Sequence, residues 1–156
     1  MLLKDVEKKY KSIVEKYVNK YYNQIEKYKI DKESLVYIIL SIIHKESSGN
    51  PNALGDNGCS VGLMQLNWCA GTPQRFGVKN KNDLFNVEIN IETGIKYLFY
   101  LINYFNGNLV YAISAYNAGE GKALNLVNLQ SYVKDIFDKF NKLSSEKKIY
   151  FSYQFS

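Results

Sequence analysis

Side chains able to hold a metal are scarce in this sequence. It has one histidine, His44, and two cysteines, Cys59 and Cys69, whose spacing fits no zinc pattern. A metal centre is therefore not expected, and nothing in the chain calls for a bound cofactor. Long apolar runs are also missing. The longest candidate, residues 35–43, falls far short of the ~20 residues that span a bilayer. The opening MLLKDVEKKYKSIVEKY lacks the apolar core of a signal peptide. These absences point to a chain made in the cytoplasm, or to a module excised from a larger protein, with no insertion into membrane. No repeat, low-complexity tract or linker composition divides the 156 residues. One monomeric domain over residues 1–156 is expected, able to bury about two thirds of its unfolded surface.

No lysine run is interleaved with aromatic residues, so nucleic acid is not an expected partner. The net charge of +5 is unevenly spread. Residues 1–50 carry ten lysines against seven acids, residues 51–120 four bases against five acids, and residues 121–156 six lysines against three acids. Basic ends around a near-neutral middle suit an anionic surface such as a cell wall, although scattered lysines are usually a solvated face. Aromatic residues are plentiful, with 14 tyrosines and 8 phenylalanines. Tyrosine rings suit sugar binding, but a Lys/Asn/Ile/Tyr-rich composition is better explained by biased codon usage.

The chain is organised around residues 35–65, LVYIILSIIHKESSGNPNALGDNGCSVGLMQ. Only Tyr37 and Ser41 interrupt the apolar run, which leads through His44 to Glu46, Ser47 and Ser48. Gly49, Asn50 and Pro51 then end any helix. This predicts a core helix capped by Asp31 that stops at Glu46 and delivers the carboxyl group to a cleft rim. A carboxylate there faces the negative end of the helix dipole and apolar walls, and both raise its pKa. A general acid working near neutral pH needs that shift. Residues 50–62 contain three glycines, three asparagines, a proline and an aspartate, a loop composition.

Elsewhere the period is helical. Apolar residues recur every three or four positions over residues 2–28, predicting a first helix in the N-terminal segment, residues 1–30. Residues 63–67 read as a short helix or turn, and residues 68–85 as irregular. Asn86 caps a helix that Gly107 ends, and Asn108 opens another leading to Tyr116 and Asn117. Gly119 and Gly121 break it. Further helices are expected over residues 122–127 and 132–143. The alternation in residues 150–155 resembles a strand, but a lone strand is marginal and is left unassigned.

Three pieces in order, Glu46-Ser47, Gly62-Leu63-Met64-Gln65 and Ala115-Tyr116-Asn117-Ala118-Gly119, resemble the lytic transglycosylases that cut bacterial peptidoglycan (SLT-like, glycoside hydrolase family 23). Gly55-Asp56-Asn57-Gly58 is similar to a turn in the goose-type lysozymes, which share that fold. The likeness covers residues 33–135, leaving 136–156 as a C-terminal segment. It implies an all-α, lysozyme-like helical domain with a substrate cleft, peptidoglycan glycan strands as partner, and Glu46 as the catalytic acid. It also implies that the bond cut lies between N-acetylmuramic acid and N-acetylglucosamine, with a 1,6-anhydro product.

Around Glu46 the resemblance places Gln65, Asn67, Tyr116 and Asn117 as substrate-binding residues. Gln65 could bond an acetamido group, and the Tyr116 hydroxyl could bond Glu46 or the anomeric region. Ser47, Gly62, Met64 and Gly119 support the motifs: Gly62 allows close backbone approach, Met64 reads as core, and Ser47 reads equally as a residue bonding the backbone. Asp56 is a possible second acid. Held about 6.5–9.5 Å from Glu46 with a water between the two carboxyl groups, it would allow inverting hydrolysis, as in a muramidase. Asp56 reads equally as an Asx-turn residue, and Asn67 stands where the goose-type pattern has another acid. His44 is read as structural. Cys59 and Cys69 could bridge if the chain doubles back. A phage endolysin, a domain of a larger machine, and an inactive wall-binding module all fit a sequence of this kind.

Overall fold

The structure, a computed structural model, describes residues 1–122 and 126–144. Five helices carry it: α1 (Leu3–Tyr21), α2 (Lys32–Ser47), α3 (Val87–Tyr104), α4 (Leu109–Ala118) and α5 (Leu126–Leu143). Helix α2 is apolar nearly all round, so its place is the centre of the core. Leu35, Ile38, Ile39, Leu40, Ile42 and Ile43 are all fully buried. Burial of each such side chain contributes roughly 1.5–3 kcal/mol. Helix α1 covers one side of α2 and α5 another, while α3 packs on α1 and α4.

The helix starts follow from local chemistry. Asp31 accepts a hydrogen bond from Ser34 N at 2.7 Å, Asn86 from Ile89 N at 3.0 Å, and Asn108 from Tyr111 N at 3.1 Å. Each satisfies a backbone donor that the first turn leaves open. The end of α3 is equally local: Gly107, at φ 86°, donates its N–H to Ile102 O at 2.8 Å.

The first helix is shorter than its periodicity predicts. It stops at Tyr21, and two 3-10 turns, Tyr22–Gln24 and Glu26–Tyr28, follow. Tertiary bonds win over the helical ladder there: Asn103 donates to Gln24 O at 3.1 Å, and the Tyr22 hydroxyl clips Ile30 O at 2.5 Å. Ile25 still reaches the core.

The loop region also differs. Residues 54–67 hold a small antiparallel sheet of strands β1 (Leu54–Gly55), β2 (Ser60–Val61) and β3 (Leu66–Asn67). Val61 pairs with Leu54 and Leu66, and Ser60 with Gly55 and Asn67. A helix over residues 63–67 is excluded because Gln65 sits at φ 50°, in the left-handed region. A disulfide joins Cys59 and Cys69, closing the open end of the β2–β3 hairpin.

Helix α5 is continuous from Leu126 to Leu143, where two segments were expected; residues 128–131 contain no breaker. Residues 123–125 of the expected helix over 122–127, and the alternating tail 150–155, lie outside the described residues. Among the described residues the fold is thus helical, with one minor sheet beside the end of α2.

Candidate active site

The last turn of α2 is fixed on several sides. Ser47 Oγ donates to Ile43 O at 3.1 Å and accepts from Gly49 N at 3.2 Å, while the buried Tyr10 hydroxyl holds Gly49 O at 2.8 Å. Ser48 turns left-handed at φ 53° and ends the helix one residue beyond Ser47. Glu46, half-buried, is therefore presented from a rigid base. Its Oε2 accepts a hydrogen bond from the Tyr132 hydroxyl of α5 at 2.5 Å.

Glu46 lies in a cleft of about 200 Å³. That volume is below the ~300–1,000 Å³ of sites that engulf a small ligand, and suits a groove gripping part of a polymer. One wall comes from the small sheet, with Asp56, Ser60, Gln65 and Asn67; the other comes from the end of α4, with Tyr116, Asn117 and Gly119. So the three sequence motifs, together with Asp56 and Asn67, line one cavity. Thr72 and Tyr97 complete it.

Loss of solvent is the main effect on Glu46, and it raises the carboxyl pKa. The Tyr132 hydrogen bond and the charge of Lys45 pull it down, whereas nearby Asp56 pushes it up. Lys45 itself is engaged by Asp135 at 2.5 Å. Burial and the Glu46 charge hold the Tyr132 phenol well above its ordinary pKa, so it stays a neutral donor. A carboxyl of raised pKa with a fixed partner, open to a groove, is equipped for proton delivery.

Several expected contacts go elsewhere. The Tyr116 hydroxyl donates to Met64 O at 2.8 Å rather than to Glu46. That carbonyl is buried and needs a donor, so the hydroxyl's proton is committed to it and not to Glu46. Both N–H groups of Gln65 are engaged, by Ala53 O at 3.2 Å and Gly62 O at 3.1 Å. The amide thus braces the sheet instead of offering donors to a sugar. Close approach at Gly62 serves the Asn90 side chain and Leu84 O, not a substrate. Met64 is fully buried, as expected.

Asn67 Oδ1 accepts from Ala70 N at 3.0 Å, and Asn117 is exposed at the cleft edge. Asp56 sits in a tight turn at φ 50°, with its Oδ2 bonded by Ser60 Oγ at 2.6 Å. His44 pairs through Nε2 with Met1 O at 3.1 Å and is not in the cleft lining.

Two residues that matter here carry no sequence signal. Tyr132 reads only as one member of an apolar stripe. Asn90 is fully buried on α3, where it binds Met64 N at 2.8 Å, Val61 O at 2.9 Å and Leu84 O at 2.8 Å. It locks the turn behind Gln65.

Among the described residues, no group of three His, Cys, Asp or Glu side chains gathers to hold a metal. No described helix is long and apolar enough to cross a membrane.

Known proteins resemble this chain. A family model described as the transglycosylase SLT domain matches residues 21–139. The chain belongs to that family. This SLT domain is 34% identical over 124 residues to membrane-bound lytic murein transglycosylase C of Edwardsiella ictaluri, covering 71% of the chain and 33% of that protein. It is 33% identical over 107 residues to the soluble lytic murein transglycosylase of Escherichia coli K12, covering 65% of the chain and 16% of that protein. The SLT domain therefore spans a third or less of these relatives.

Solved structures share the fold. The 70 kDa soluble lytic transglycosylase SLT70 of Escherichia coli superposes with a TM-score of 0.62 at 22% identity, over 82% of this chain and 25% of that one. An inactive glutamate-to-glutamine mutant of lytic transglycosylase Slt from Pseudomonas aeruginosa gives 0.63 at 23% identity, over 85% and 24%.

Proposed function

We propose that this SLT domain is a lytic transglycosylase, cutting the β-1,4 bond between N-acetylmuramic acid and N-acetylglucosamine in peptidoglycan. The observation that carries this is the placement of Glu46: a carboxyl of raised pKa, held by Tyr132, in a groove shared with all three motifs. Glu46 protonates the bridging oxygen as the glycosidic bond breaks. The substrate's N-acetyl carbonyl stabilises the cationic anomeric carbon, supplying the nucleophile from the sugar itself. Glu46, now ionised, takes the proton of the C6 hydroxyl, and O6 bonds to the anomeric carbon. The 1,6-anhydro ring closes and no water is consumed.

In this reading the Tyr116 ring and the side chains of Asn67 and Asn117 contact the glycan, while Gln65 shapes the wall that faces it. The names of the relatives support the activity. Their greater length supports action as one domain of a wall-directed protein; phage-type release of a stand-alone lysin is the alternative setting.

A second reading has one specific observation behind it. Asp56 lines the same cleft and its charge reaches Glu46, which supports a role in orienting a water for hydrolysis by a muramidase. Weighing the products of purified peptidoglycan separates the two. Anhydro ends, one water lighter than reducing ends, are expected; reducing ends mean hydrolysis, and no products mean a wall-binding module. Glu46→Gln is expected to lower turnover about 10²–10⁴-fold, the scale of positioned acid catalysis. Undiminished turnover in folded Glu46→Gln contradicts the assignment.

A further inference from the structure

Within the reading of the cleft as a glycan groove, an ion pair joins two segments that adjoin its lining. Arg75 Nη1 lies 3.5 Å from Glu120 Oε1. Arg75 belongs to the 3-10 turn Pro73–Phe76, directly after Thr72 of one cleft wall. Glu120 follows Gly119, the last lining residue of the other wall. Neither charged residue lines the cavity itself, but the pair ties together the segments that follow Thr72 and Gly119.

The order of groups along the groove is legible. The charge of Glu46 reaches Tyr116, the Tyr116 and Tyr97 ring centroids lie 5.3 Å apart, and the charges of Glu120 and Arg75 reach Tyr97. Tyr116 and then Tyr97 thus link Glu46 to the Arg75–Glu120 pair. The guanidinium is also seated, 4.5 Å over the Tyr100 ring, and Phe76 packs on Tyr97 and Tyr100 with centroids 6.1 and 6.3 Å away. The stacking holds Arg75 in place, which a lone surface ion pair does not achieve.

The geometry points to Arg75 and Glu120 as specificity-determining residues: their bridge ends the groove beyond Tyr97 and limits how many sugars it can hold on that side of Glu46. A strand whose end reaches the bridge fits as the protein stands. A strand continuing past it binds only when the bridge is broken. Both side chains are partly exposed, at 40% and 26%, so opening needs no unfolding.

The test reads binding separately from catalysis. Chitin oligomers of increasing length are titrated calorimetrically against Glu46→Gln protein, alone and combined with Arg75→Gln or Glu120→Gln. In the parent, affinity is expected to stop rising once the groove is filled. In both variants the plateau moves to longer oligomers, with about fivefold tighter binding of the longest, the scale of one surface ion pair. The charge-reversed double substitution Arg75→Glu with Glu120→Arg returns the plateau to its original length.

An unchanged plateau in both single variants overturns the inference. So does weaker binding of every length on Arg75→Gln alone, which would make Arg75 a direct sugar contact. Product analysis then stands apart. With Glu46 restored, the opened variants release longer fragments early. Absence of products from every form removes the catalytic reading and leaves the binding result standing.

Discussion

The Tyr132 hydroxyl donates to Glu46 Oε2 across 2.5 Å, bringing together two residues 86 positions apart in the chain. The bond opposes burial, since it favours the ionised carboxylate that loss of solvent disfavours. Tyr132 is itself buried and keeps its proton, so it serves both states of the acid. It holds one of the two carboxyl oxygens.

Removing that hydroxyl makes a directional prediction. In Tyr132→Phe the carboxylate loses its stabilising donor, and the Glu46 pKa rises further. An acid catalyst works while protonated, so activity is lost as pH rises through that pKa. The alkaline limb of the kcat/KM profile on peptidoglycan is therefore expected to move to higher pH. The same change is expected to lower kcat about 10–100-fold, from the ~1.5–3 kcal/mol that a hydrogen bond to a charged group contributes. A limb that stays put or moves down shows that Tyr132 does not act on Glu46.

Stability should report the same burial. A carboxyl whose folded pKa lies above its unfolded value favours the fold below the ordinary glutamate range, and that contribution is lost as pH rises through the folded value. Glutamine mimics the protonated acid and cannot ionise. Glu46→Gln is thus expected to be more stable than the parent at neutral pH, the difference closing as pH falls below the unfolded glutamate value of ~4.3. Urea melts at a series of pH values measure it. A variant less stable at neutral pH would mean that the ionised form is well accommodated.

The fold was largely readable where its causes are local. Asp31, Asn86 and Asn108 cap their helices by bonds within one turn, and the apolar run of α2 can only be core. The strands could not be found that way, because two residues do not establish a period of two. Nor could the left-handed φ of Gln65, a residue type that seldom adopts it. The site was readable in its membership and not in its bonding. Tyr116 and Gln65 do line the cleft, but the backbone needed their polar atoms more. Tyr132 was hidden for another reason. The stripe formed by Tyr132, Val133, Ile136, Phe137 and Phe140 locates the face of α5 that is buried, not which hydroxyl on it meets a carboxyl of α2.

Asn90 offers a further prediction. It satisfies one backbone N–H and two backbone carbonyls in a place without solvent. Asn90→Ala strands all three groups. At roughly 1–3 kcal/mol for each unsatisfied group, partly relieved by relaxation, a loss of about 3 kcal/mol or more is expected. The damage falls on the turn that presents Gln65, so weaker glycan binding should accompany the lower denaturation midpoint. A loss under about 1 kcal/mol, within the range of ordinary surface changes, would show that the turn holds itself.

The Cys59–Cys69 bridge separates stability from chemistry more cleanly. Its closed loop is short, with a sequence separation of 10, so the chain-entropy estimate is about 2–3 kcal/mol. The hairpin it closes keeps its own backbone bond, Trp68 N to Cys59 O at 2.8 Å, and the helical core lies elsewhere. Paired Cys59→Ser and Cys69→Ser substitutions are therefore expected to lower stability by that amount without abolishing cooperative unfolding. Asp56, Ser60, Asn67 and Ala70 line the cleft on either side of the bridge, whereas Glu46 and Tyr132 are carried by α2 and α5. Loosening one wall should raise KM severalfold and leave kcat nearly unchanged. A fall in kcat at constant KM would mean that the hairpin helps to set the acid itself, through the Asp56 charge that raises the Glu46 pKa.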